Sequence, residues 1–137
     1  MKALIETTNR RSERAFLVGV ELKSGANWDI HDSMEELDQL TRTAGAEVLG
    51  NAVQKLEAPV AGTFIGSGKA EELSQQCRAN EVDTVIFDDE LSPAQSRNLE
   101  KVFECKILDR TSLILDIFAQ RARRSEEHTS ELQSQFR

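Results

Sequence analysis

The sequence is poor in the residues that build reactive centres. It holds two histidines and two cysteines in 137 residues. Cys77 and Cys105 lie far apart in the chain without metal-ligand company, so neither a disulfide framework nor a zinc site is indicated. Both read as reduced, half-buried thiols. His31 precedes an expected helix in a polar loop, where a solvated or capping role fits, and His128 falls in an atypical tail. No Ser/His/Asp or Cys/His constellation can be assembled, so no catalytic residue and no metal ligand is assigned. Apolar runs are too short to cross a bilayer. The opening residues, MKALIETTNRRSER, lack the apolar core and small-residue cleavage pattern of a secretory signal, so a cytoplasmic chain is expected. Basic charge is also scarce. Lys and Arg total 17 against 24 acidic residues, a formal charge of −7. That argues against direct DNA binding or a surface that wraps nucleic acid, which needs clustered Lys and Arg.

What is present describes one globular domain with a core: 39% hydrophobic residues and 30% charged. RAFLVGVEL, Arg14 to Leu22, is apolar enough for a central parallel strand. Ser33 stands three before Glu36, a capping-box spacing that predicts a helix start there, with Met34, Leu37, Leu40 and Ala44 on one face and Gly45 as the stop. Ala46 to Leu56 returns to strand character, and Gly50 within it predicts a bulge or a close backbone approach. A helix over about Lys69 to Asn80 buries Ala70, Leu73 and Cys77. DTVIF, Asp83 to Phe87, reads as a short buried strand. Ser92, Pro93 and Gln95 then form a strong helix start, with Leu99, Val102 and Phe103 turned inward. CKILD, Cys105 to Asp109, is the last strand, and Asp109 or Thr111 caps a helix containing Leu113, Ile114, Ile117 and Phe118. Strands and helices alternate throughout, which predicts an α/β fold: a four-stranded, mostly parallel sheet with helices on both faces.

Three features are candidates for chemistry. The turn Gly66, Ser67, Gly68, Lys69 resembles a phosphate loop but fails as one. A Walker A motif needs Gly five residues before Gly68, where Thr63 stands, and Ser or Thr after Lys69, where Ala70 stands. The dinucleotide pattern fails too, because Glu71 replaces its third glycine. A structural turn is the favoured reading, and the other is a weak nucleotide or phosphate site at a helix N-terminus, opposed by Glu71 and Glu72. The acidic triplet Asp88, Asp89, Glu90 follows a strand's carboxyl end, where α/β sheets bind ligands. Asp89 and Glu90 read as solvated, with Asp88 fixing the loop before Ser92. Magnesium there is the alternative. Arg121 and Arg123 suit a helix C-terminus, and they could equally open a basic interaction segment.

Residues 124–137 differ from the rest. RSEEHTSELQS, Arg124 to Ser134, has no clear apolar face and is similar to the translation of a widely used sequencing-library adapter. This predicts an artefactual tail, with the native reading ending near Arg123 and the chain a fragment. The expected organisation is therefore a flexible N-terminus over residues 1–13, an α/β domain over 14–123, and the tail.

At TFIGSGKAEEL, VDTVIFDDELSPAQSRNLEK and ILDRTSLILDIFAQRAR the chain resembles the N-terminal domain of the HflX family of ribosome-associated GTPases, from about Arg14 to Arg123. The resemblance implies a protein that binds the large ribosomal subunit and splits or rescues ribosomes. Its GTP and Mg2+ sites would lie in a later domain absent from this chain. It therefore implies no cofactor and no GTP hydrolysis here, and an ATP-binding module at Gly66 to Lys69 is the alternative.

Overall fold

In a computed structural model, residues 12–23 and 29–128 are described, with side chains as far as residue 122. The expected flexible segment up to residue 11, the loop with Gly25 and Trp28, the Arg123 side chain and residues 129–137 lie outside them. In chain order the elements are β1 (Arg14–Leu22), α1 (Ile30–Thr43), β2 (Glu47–Leu56), α2 (Ser67–Ala79), β3 (Thr84–Phe87), α3 (Pro93–Phe103), β4 (Lys106–Asp109) and α4 (Arg110–His128). The strands form one sheet in the order β2-β1-β3-β4, and every pairing is parallel. The α/β fold expected from the alternating pattern is the one observed.

The apolar run of β1 is explained by burial on both sides. Ala15 and Leu17 face a layer made by α1 and α4, where Ile30, Met34, Leu37, Leu113 and Ile117 pack with Ile86 of β3. Val18 and Val20 face the opposite layer, made by α2 and α3 through Ala70, Leu73, Cys77, Leu99 and Phe103. All four residues of β3 are buried. Phe87 at its end meets Phe64 and Phe103 edge-on, with ring centroids 6.0 and 6.4 Å away, the geometry that aromatic quadrupoles favour.

Gly50 combines both expected roles. The register slips opposite Ala15 and Phe16, leaving Leu49 as the extra residue of a bulge. A Cβ on Gly50 would come within 3.2 Å of the Phe16 ring. Gly45 stops α1 with φ of 95°, a backbone state that side chains resist.

Two local expectations are corrected. α1 begins at Ile30, not at Ser33: Asp29 accepts the His31 N–H at 2.9 Å and caps the helix. The earlier start brings Ile30 into the core and puts His31 in the first turn. Ser33 is thus a buried helix residue, free to use its hydroxyl elsewhere. Cys77 is fully buried rather than half-buried, and only Cys105 is intermediate. Burial pushes the Cys77 thiol up to about 12 and that of Cys105 to about 11, because desolvation penalises the thiolate.

Candidate functional site

In the strand order β2-β1-β3-β4 the chain leaves β1 in one direction and returns to β3 in the other. The crevice beyond the carboxyl ends of β1 and β3 is therefore the topological switch point, where open α/β sheets bind ligands. A cleft of about 490 Å³ lies there, lined by Val20, Ile30, Ser33, Glu36, Asp88, Asp89, Glu90, Arg110 and Thr111.

Its floor is an ionic cluster. The Asp88 carboxylate, only 2% exposed, pairs with the Arg110 guanidinium and accepts the Ser33 hydroxyl at 2.5 Å. Arg110 also reaches Glu36. A buried carboxylate is tolerated when paired and hydrogen-bonded in this way. Asp88 thus ties the end of β3 to α1 and α4, and does not fix the loop before Ser92. Asp109 does that, accepting the Leu91 N–H at 3.0 Å and capping α4 through the Ser112 N–H at 2.9 Å. Burial alone would raise the Asp109 pKa, but these N–H donors outweigh it and hold the carboxyl below its ordinary value. Asp89 and Glu90 are exposed on the rim. Among the described residues no three His, Cys, Asp or Glu side chains converge to hold a metal ion.

The glycine turn lies elsewhere. Gly66 is the N-cap of α2, without a side-chain cap, and its N–H donates to Gln54 Oε1 at 2.9 Å. One of the donors a phosphate would use is therefore engaged. Lys69 pairs with Glu72 at 3.8 Å. Ser67 and Gly68 border a second cleft, about 470 Å³, which runs between α2 and α3 past Ser74, Arg78 and Lys101. The two clefts share no lining residue, so the turn and the acidic triplet form two places and not one site. With Ala70 where a Mg2+-binding hydroxyl belongs, the turn does not fit a GTP–Mg2+ pair.

Two participants escaped sequence reasoning. Arg110 gave no motif, because its partners Asp88 and Glu36 are distant in the chain. Phe64, beside the glycine turn, holds φ of 67° although it is not glycine. A two-way backbone pairing with Val60, at 2.8 and 3.0 Å, and burial of its ring overrule the steric cost. Arg121 is exposed on α4.

A family model described as GTP-binding GTPase N-terminal matches residues 31–119. This chain belongs to that family. Its relatives are GTPase HflX proteins. The one from Flavobacterium psychrophilum is 43% identical over 126 residues, 92% of this chain and 30% of the relative. The one from Escherichia coli is 46% identical over 114 residues, 83% of this chain and 26% of the relative. The domain therefore spans less than a third of the length of the curated relatives it matches. Among solved structures, a GTP-binding protein from Sulfolobus solfataricus in complex with GDP shares the fold, with a TM-score of 0.56 and 24% identity over 78% of this chain and 30% of that one. All three sequence blocks that carried the HflX resemblance lie wholly or largely within the matched region. Asp88, Arg110 and the glycine turn all lie within the matched residues 31–119.

Proposed function

We propose that this chain is the non-catalytic N-terminal domain of an HflX-like GTP-binding protein of the cytoplasm, one that associates with the large ribosomal subunit and splits or rescues ribosomes. GTP and Mg2+ would be held by polypeptide that this chain does not contain. The observation that carries the reading is the 43–46% identity to GTPase HflX over most of this chain, joined to a glycine turn that cannot complete a P-loop. The role of the domain is then positioning: the exposed Asp89, Glu90 and Arg121, together with Arg123, are the candidates for contact. The organisation proposed is residues 1–13 as an N-terminal extension, 14–123 as the domain and 124–137 as the artefactual tail. Sequencing the locus past the codon for Arg123 tests that tail. The expected result is a frame that departs from residues 124–137 after Arg123 and runs on into GxxxxGK[ST], and a locus that encodes the tail uninterrupted would refute it.

The functional test is co-sedimentation. The longer protein encoded at the locus should pellet with large ribosomal subunits in a GTP-dependent manner, and this chain alone should hydrolyse no GTP. Failure of the longer protein to pellet would remove the ribosomal reading.

A second reading, a weak ATP module at Gly66, Ser67, Gly68 and Lys69, draws support from the strained Phe64 and the adjoining cleft. Isothermal titration separates the two. Saturable ATP binding that Lys69→Ala abolishes would favour the module, and no heat with ATP or GTP would favour the non-catalytic domain.

A further inference from the structure

We propose that the free edge of β2, with the groove beside α1, binds an extended basic segment of another protein as an added β-strand. Among the described residues β2 ends the sheet and pairs only with β1. Its outer edge therefore presents unpaired N–H and C=O groups, a template for a further strand. Edges of this kind are blunted by charge, proline or a bulge. Here the bulge at Leu49 stands at one end and Lys55 at the other, leaving Gly50 to Gln54 with neither charge nor proline. Side chains alternate along this stretch. Ala52 packs toward the α2 and α3 layer and Val53 toward the α1 and α4 layer, so the stretch is regular strand, against which a partner can keep register.

A groove of about 500 Å³ opens beside the same stretch, with Asn51, Ala52 and Val53 on one wall and His31, Met34, Glu35 and Asp38 of α1 on the other. The α1 residues are spaced i, i+3, i+4, i+7, a single helical stripe turned along the strand. Buried Met34 and half-buried Val53 make an apolar floor. Glu35 is exposed, with no ion-pair partner among the described residues, and Asp38 pairs with Arg42. A strand added about 4.8 Å from β2 would point every second side chain into this groove, roughly 7 Å apart. Met34 and Asp38 stand about 6 Å apart along the helix. An apolar residue over Met34 with a Lys or Arg two positions away therefore matches the wall. Main-chain hydrogen bonds would supply affinity, and the two inward side chains the choice of partner. The formal charge of −7 draws in a basic segment at longer range as well. A second copy fits poorly, because an isologous pairing sets Glu35 and Asp38 against the same carboxylates. The polypeptide that follows in HflX relatives continues from β4 through α4, and β4 is the opposite edge of the sheet. Both arguments assign the strand to a separate protein.

The test uses this chain and a capped synthetic octapeptide, Lys-Thr-Val-Thr repeated twice, which offers lysine and valine on one face of an extended strand. Fluorescence anisotropy should show saturable binding below about 1 mM. Amides within Gly50 to Gln54 that exchange freely in the unbound chain should become protected. Glu35→Gln with Asp38→Asn should weaken binding about tenfold, and Glu35→Lys alone should act in the same direction. Of two further peptides, N-methylated at one or the other set of alternate amides, only one should still bind, since a ladder uses every second N–H of an added strand. Equal binding by those two peptides, or no saturable binding by the parent, would overturn the proposal. So would a dimer of this chain that protects the same amides, which would give the edge to a second copy. Protection of the aligned amides in intact Escherichia coli GTPase HflX without any peptide would overturn it too, by giving the edge to the relative's own polypeptide.

Discussion

At the scale of single residues, Arg110 is the side chain on which most depends. It neutralises Asp88, which is almost wholly buried, and also reaches the exposed Glu36. Arg110→Ala should destabilise the domain by about 3 kcal/mol, because the cost is that of a buried carboxylate left without its cation. Glu36→Ala should cost less than about 1 kcal/mol, since that partner is solvated. Urea titration of the two variants checks the ranking. Asp109 makes a pH prediction. Its folded pKa lies below the ordinary value, so its contribution is present above that value and fades as pH falls through the folded one. Stability should therefore drop below about pH 4, and Asp109→Asn should flatten that drop. Thermal melts from pH 6 to pH 2.5 read the difference. Asp88 was visible in the sequence as part of an acidic triplet, but its role was not. A carboxylate's role is set by what it meets, and Ser33 and Arg110 stand 55 and 22 residues away from it.

Whole elements were more legible, because each is announced by chemistry within a few residues. The Ser92 box at the start of α3 is present as expected, with the hydroxyl accepting the Gln95 N–H at 3.1 Å and the Gln95 side chain accepting the Ser92 N–H at 2.9 Å. Ser92→Ala should cost about 1 kcal/mol, and amide exchange in the first turn of α3 should quicken. Ser33 carried the same signature with Glu36 and is no cap. The difference is competition: Asp29 caps four residues earlier, and the longer helix gains the burial of Ile30. Phe118 shows a further limit. A periodic pattern places it on α4, yet the side that meets the sheet carries Leu113 and Ile117, leaving Phe118 outside.

For the molecule as a whole, one sheet separates two apolar layers. Leu37 belongs to the α1 and α4 layer and Leu99 to the α2 and α3 layer, both at 0% exposure. Each change to Ala should cost about 2–5 kcal/mol. Because the sites share no partner, the double variant should equal the sum of the singles within about 0.5 kcal/mol. Both layers pack on the same strands, so urea unfolding of either single variant should remain one transition with an unchanged slope. An intermediate retaining one layer would contradict this.

The alternation of apolar strands and amphipathic helices, the family signatures and the broken P-loop could all be read from the chain as written, because they depend on periodicity and on residues close together. The switch-point cleft, the Arg110 cluster, the strained Phe64 and the uncovered face of α4 could not. They arise where segments far apart in sequence meet, and the partners that bury a charge or leave a phenylalanine in water are chosen by packing across the sheet.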